Sequence, residues 1–280
     1  MTRNIPVEHR AERGGPAVHF GLIELDLLAT YAGASIPYPL RVPSFGGIPG
    51  ERDVLFTVAA ATMRHRALAD EDGPIGIGDD LAAGLAARNG TVHLVLSAAG
   101  EPVGIAAIID HDQALLCRQT LSDVATELVE VRPVELDGLA DALVDLTPPL
   151  HGAKTIPVRI PTAAARLLLR SLGDNGGPSN RLYQIADRYR CSVDDLDLLL
   201  QAAKTVTGGG RLGAALAAEH GKDVPTGSEL SWMDSPVGRL RVTVEPDEDH
   251  GWLSVNPLHP NDLRAVAMEL VALVRRRRRP

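Results

Sequence analysis

The element that most constrains this chain occurs twice. Pro133 to Leu146 (PVELDGLADALVDL) and Pro260 to Leu273 (PNDLRAVAMELVAL) align without a gap, 127 residues apart, with six of 14 positions identical. Each copy opens on proline, whose missing N–H costs nothing in a first helical turn, and sets an acid two residues later, where the helix dipole favours it. Apolar residues then recur at helical spacing. Each copy also follows a strand-like stretch, 127–131 and 252–255. A strand-then-helix unit repeated at nearly half the chain length predicts two similar halves, about 18–146 and 147–274, related by a pseudo-two-fold axis and sharing one antiparallel sheet. The competing explanation is chance, since helix starts of the form Pro-x-acid-Leu are common.

The rest of the chain fills this frame. Residues 1–17 carry mixed charge and no periodicity, and are expected to be a disordered tail. A short helix is expected at 23–31. Then Pro37-Tyr38-Pro39-Leu40 begins a turn-rich crossing that runs to Pro49-Gly50. Helices follow at 51–69 and 79–88. Short strands at 91–97, 103–109, 114–119 and 124–131, joined by hairpin-length loops, form a meander that the helix at 133–146 closes. The second half repeats the scheme: an extended 156–160, helices at 162–172, 180–190 and 193–206, strands at 211–218, 229–233, 237–244 and 252–255, and the closing helix. Ser192 followed by Asp195 is a cap for the third of these helices. The helices at 180–206 are expected to have no counterpart of equal length in the first half. The fold class is therefore α+β: a duplicated antiparallel sheet flanked by helices, with a helical bundle toward the C-terminus and an Arg-rich tail at 275–280.

Composition excludes several functions. The 280-residue chain is 45% hydrophobic, enough for a sizeable core, yet it has no apolar run long enough to span a membrane. A cytoplasmic protein without membrane insertion is expected. Its formal charge is −8, and more negative still without the five arginines at 275–279, which argues against broad phosphate-backbone binding. Two cysteines, Cys117 and Cys191, offer neither a disulfide framework nor a zinc site, so buried free thiols are expected.

Candidate chemistry is sparse. Gly208-Gly209-Gly210-Arg211-Leu212-Gly213 has the glycine spacing of a dinucleotide loop, but a helix precedes it and a strand follows, the reverse of what that fingerprint requires; the glycines are expected to be a helix stop and loop. His111 between Asp110 and Asp112, and the run Asp247-Glu248-Asp249-His250, are either metal ligands or charged residues in solvated turns, and the turn reading is preferred. No catalytic spacing occurs, so neither an enzyme nor a cofactor is expected. The arginine run at 275–279 either binds nucleic acid or ends a helix favourably at its C-terminus; the acidic body favours the second.

Several segments taken together resemble the EspG family, the cytosolic specificity chaperones of actinobacterial type VII secretion systems. They are the early helix with Pro37-Tyr38-Pro39-Leu40; the Glu51-Arg52 helix ending in Arg66-Ala67-Leu68; and Val103-Gly104-Ile105-Ala106-Ala107. Further along come Thr155-Ile156-Pro157-Val158, Arg211-Leu212-Gly213 and Ser254-Val255-Asn256-Pro257 before the final helix. The resemblance spans about 18–274. It implies a pseudo-symmetric sheet with a helical bundle and a non-enzymatic role: keeping PE–PPE heterodimers soluble by capping the apolar tip of the PPE helices. It implies a PPE-type partner, with the chaperone itself a monomer or weak homodimer. A sheet with helices on one face would leave an apolar surface on the other for such a client. The candidate contacts are Leu230, Trp232, Arg239, Arg241 and Thr243 on the second meander, and Arg188 on the helix at 180–190. The alternative for Leu230 and Trp232 is the core.

Overall fold

A computed structural model of the chain describes residues 15–48, 50–98, 100–111, 113–121, 128–155, 157–170, 178–218, 223–245 and 251–276. In the first half, β1 (Val18–Gly21), α1 (Leu22–Tyr31), α2 (Glu51–His65) and α3 (Ile77–Ala87) precede β2 (Gly90–Ser97), β3 (Val103–Asp110), β4 (Gln113–Thr120), β5 (Leu128–Glu135) and α4 (Leu139–Asp145). The same order recurs in the second: β6 (Val158–Pro161), α5 (Thr162–Arg170), α6 (Pro178–Tyr189), α7 (Val193–Lys204), β7 (Gly208–Ala217), β8 (Asp223–Ser235), β9 (Gly238–Val244), β10 (Trp252–Pro257) and α8 (Pro260–Arg276). The strands form one antiparallel sheet in the order β1-β5-β4-β3-β2-β7-β8-β9-β10-β6.

That order is its own mirror about the β2–β7 seam, and the registers agree residue by residue. Phe20 opposes Val129 as Ile160 opposes Leu253. Cys117 opposes Val131 as Val242 opposes Val255. Ala106 opposes Cys117 as Ser231 opposes Val242, and His93 opposes Ala106 as Arg211 opposes Ser231. At the seam His93 opposes Gly213 and Val95 opposes Arg211, on either side of the Leu94–Leu212 pair. The pseudo-two-fold axis therefore runs through Leu94 and Leu212, both 1% exposed.

The repeated helix is offset from the repeated strand. Leu136, Ala140 and Leu143 are buried at the positions of Leu263, Ala267 and Leu270, as the alignment requires. The two prolines at its head differ. Pro260 opens α8, whereas Pro133 lies within β5 opposite Leu115, the place that Pro257 takes opposite Leu240. The first copy is thus strand to Glu135, one 3-10 turn at Leu136–Gly138, and only then helix. Val129 and Val131 pack on the second face and Val134, past the proline, on the first, so the strand stays anchored on both sides of Pro133.

Helices cover both faces of the sheet, not one. On the first face α4 and α8 pack together over the centre, burying Val92, Leu94, Ile105, Ala107, Leu212, Leu230 and Trp232. On the second, α1, α2 and α3 cover one end and α5, α6 and α7 the other. The helices α6 and α7, of 12 residues each, do have counterparts of similar length in α2 (15) and α3 (11). Salt bridges fix α2 to α1 at both ends: Arg52 to Asp26 and Arg66 to Glu24, both acids buried, each at 2.9 Å. The side chain of Ser192 accepts from the Asp195 N–H at the head of α7, the expected cap.

Candidate partner-binding groove

The structure disperses the six candidate contact residues. Leu230 and Trp232 lie under α8 in the core, 1% and 4% exposed. Arg239 is also buried. It holds Asp234 with two arms, Nε to Oδ1 at 2.7 Å and Nη2 to Oδ2 at 3.0 Å, and donates a third bond to the Pro148 carbonyl. Its guanidinium stands 5.4 Å from the Trp232 ring centre. Arg239 thus clamps the inter-half linker onto β9 and offers nothing to a partner; the expectation that these three residues form a surface is corrected by their burial. Arg241 and Thr243 are exposed on the first face. Arg188, also exposed, lies on α6 over the second face, beside Tyr189.

The open concavity lies elsewhere. A groove of about 1000 Å³ runs over the centre of the second face, between the two helical groups. Register builds its floor in two rows: Val95, Arg211, Ser231 and Val242 across β2, β7, β8 and β9, then Ser97, Gly209 and Met233 beside them. One wall is Tyr38, the other Val206 and Thr207 after α7. The Tyr38 loop is pinned by the buried Gln119, whose amide accepts from the Arg41 N–H at 2.7 Å and donates to the Arg41 carbonyl at 3.0 Å. Pro39 packs over Gly104, where a β-carbon would crowd it.

Why the groove opens on this side follows from breaking the symmetry. The first-half counterparts of Ser231 and Val242 are Ala106 and Cys117, 0% and 1% exposed beneath α1 to α3, while Ser231 and Val242 are half-buried. In the first half α3 packs on β3, with Gly84 against Ile108 and Leu115. In the second, α7 packs on β6 at the outer edge and on α5 and α6, leaving β7 and β8 bare. The glycine run contributes too. Gly208 to Gly210 are strand, not loop, and a β-carbon on Gly210 would collide with the Trp232 indole on the far face.

A family model for the EspG family matches residues 22–268. The chain belongs to the EspG family. Comparison with curated protein sequences finds no match. Among solved structures, the chain is similar to the Mycobacterium tuberculosis type VII secretion system chaperone EspG5, solved in complex with a PE25-PPE41 dimer. The TM-score is 0.63 at 15% identity, covering 91% of this chain and 96% of that one. At this identity the likeness is one of fold.

The polar content of the groove in this EspG-family chain is low. Among the described residues Arg211 is its one charged lining residue, 62% exposed, with Nε 3.7 Å from Oε1 of Glu229, itself 44% exposed. Glu229 accepts a bond from the Ser231 hydroxyl at 3.2 Å. At the dyad-related position to Arg211 stands His93, covered by Tyr38, whose ring meets it edge-on at 5.0 Å. Burial holds the imidazole below its ordinary value of 6.5, against a smaller upward pull from Glu229. Burial likewise pushes the Cys117 thiol up to about 12, leaving it unreactive.

Among the described residues, no group of three or more His, Cys, Asp or Glu is placed to hold a metal. His111 sits in a turn with a positive φ of 49°, 3.6 Å from Asp110; the run 247–250 lies outside the described residues. No helix among them is long and apolar enough to cross a membrane. Sequence reasoning passed over Tyr38, Val95, Ser231, Met233 and Val242 as contact residues. The available signal was the glycine run: a strand without side chains is a floor with headroom.

Proposed function

We propose that this protein is a cytosolic type VII secretion chaperone that binds a PE–PPE-type heterodimer, one copy each, and receives the apolar helical tip of the PPE-type subunit in the groove. The observation that carries the reading is the bare β7–β8 floor on one side of the pseudo-two-fold axis. Family membership supports the role, and the complex in which EspG5 was solved supports the class of partner. The chemistry fits as well. A groove mostly of apolar side chains and glycine backbone, with hydroxyls at Ser97, Thr207 and Ser231 and Arg211 as the charged residue among the described lining, suits a helix end carrying apolar residues. Such a role needs no catalysis and no cofactor. The exposed Arg241, Thr243 and Arg188 are then contacts outside the groove.

Nothing favours a nucleic-acid-binding role. Arg275 pairs with Asp137 at 3.1 Å and Arg264 with Asp141 at 2.7 Å, so cations of α8 answer acids beside and on α4. Residues 277–280 lie outside the described ones.

Co-expression with the PE–PPE-type pair encoded beside it, followed by size-exclusion chromatography, tests the reading. The expected outcome is a 1:1:1 complex that Ser231→Trp, by filling the groove, abolishes without changing the melting temperature. A complex indifferent to Ser231→Trp, or none at all, would overturn it.

A further inference from the structure

An unlike pair stands where the groove floor meets its margin, Arg211 in the lining and Glu229 beside it, and that pair has a direction. Arg211 and Glu229 lie on neighbouring strands, 3.7 Å apart at their closest atoms, both largely open to solvent. Arg211 makes no hydrogen bond to Glu229 at that distance, so its donors are available to whatever enters. Its dyad-related counterpart, His93, is sealed under Tyr38. The cation has therefore been left open on the side where the sheet is bare. A structural ion pair at this exposure contributes little to stability, so stability does not account for its place beside the groove floor.

We infer that Arg211 and Glu229 fix the orientation of the client by reading the two ends of a helical hairpin. This rests on the proposed binding of a helical tip. At such a tip one helix ends with free carbonyls and a partial negative charge, and the next begins with free N–H groups and a partial positive charge. A guanidinium and a carboxylate side by side match those two ends in one orientation only. Arg211 donates to the last-turn carbonyls of the incoming helix, while Glu229 accepts from the first-turn N–H groups of the outgoing one. The client's apolar side chains meet Val95, Met233, Val242 and Tyr38 around them. The reversed hairpin sets like ends against like charges and is refused.

Charge reversal tests this, using the PE–PPE-type pair of the co-expression experiment as probe and a dissociation constant from titration calorimetry as readout. Arg211→Glu and Glu229→Arg should each weaken binding about tenfold, and the double reversal about a hundredfold, the scale of helix-end electrostatics in a partly buried site. All three should melt like the parent. If the pair serves only itself, the double reversal restores the ion pair and binding returns to the parent's value, which overturns the inference. Parent and variants binding equally would also overturn it while leaving the proposed function standing. A parent that binds no such pair removes both.

Discussion

A buried arginine and a buried histidine decide more about this molecule than its exposed charges. Arg239 meets Asp234 across the Ser235–Gly238 turn, and it stitches the linker at Pro148 to the second half. Truncation to Ala leaves the Asp234 carboxylate buried and unpaired, a change that costs about 3–5 kcal/mol in comparable pairs. Arg241, two residues on and exposed, should tolerate Glu within about 0.5 kcal/mol. Urea unfolding of Arg239→Ala and Arg241→Glu side by side checks both. His93 acts through pH. Its native imidazole takes up a proton below 6.5, while the unfolded chain does so near that value, so the unfolded state binds more protons as pH falls through 6.5. Stability from this group is complete above pH 6.5 and declines below it. The expected outcome is that His93→Gln flattens part of the fall in melting temperature between pH 7 and 5.5; an unchanged profile would show that His93 plays no part. Neither role was legible in the sequence. An alternating Arg239 and Arg241 suggests one exposed face, and burial of the first depends on Asp234, Thr147 and Trp232, which only the folded hairpin brings together.

At the scale of elements, the sequence was informative wherever an apolar run has clear turn boundaries or a helical period. The spans of β2, β3, β4 and β9 follow from short strand-like runs bounded by hairpin-length loops, and those of α1, α3, α6, α7 and α8 from helical patterns, within a few residues. Three features escaped that logic. β1 has four residues, too few for periodicity to speak. The glycine start of β7 carries no β-propensity, and it is strand because β2 and β8 pair with it on both sides, while Trp232 fills the space a side chain at Gly210 would take. The repeat predicts that Pro133 opens a helix, yet β5 continues through it because valines on either side pack against the two faces of the sheet. In each case tertiary contact overrode local preference. The groove was illegible for a related reason: where α7 leans, toward β6 and away from β7, is settled by packing among α5, α6 and α7, of which the sequence shows only the apolar faces.

At the scale of the whole molecule, the β2–β7 ladder is the one strand pairing that joins the halves, with α4 against α8 beneath it. Cut between residues 146 and 147, the chain becomes two fragments, each ending in a bare central edge strand, β2 or β7, of the kind that aggregates unless paired. Expressed separately they should be insoluble; co-expressed they should reassemble into one particle with the parent's circular dichroism. Two fragments each soluble and monomeric alone would show that the seam is not needed.

Leu94 and Leu212 sit on the axis of that seam. In a dimer of identical subunits, residues on a two-fold axis face their own copies, and every substitution is made twice. Such an assembly would have carried two equal clefts or none, because whatever opens one opens the other. A single polypeptide with two unlike halves is free of that constraint. His93 could be closed over while Arg211, its image, was left open. Two positions related by the axis need not match in a single chain, so the fold can carry one open cleft on one side of its seam and none on the other.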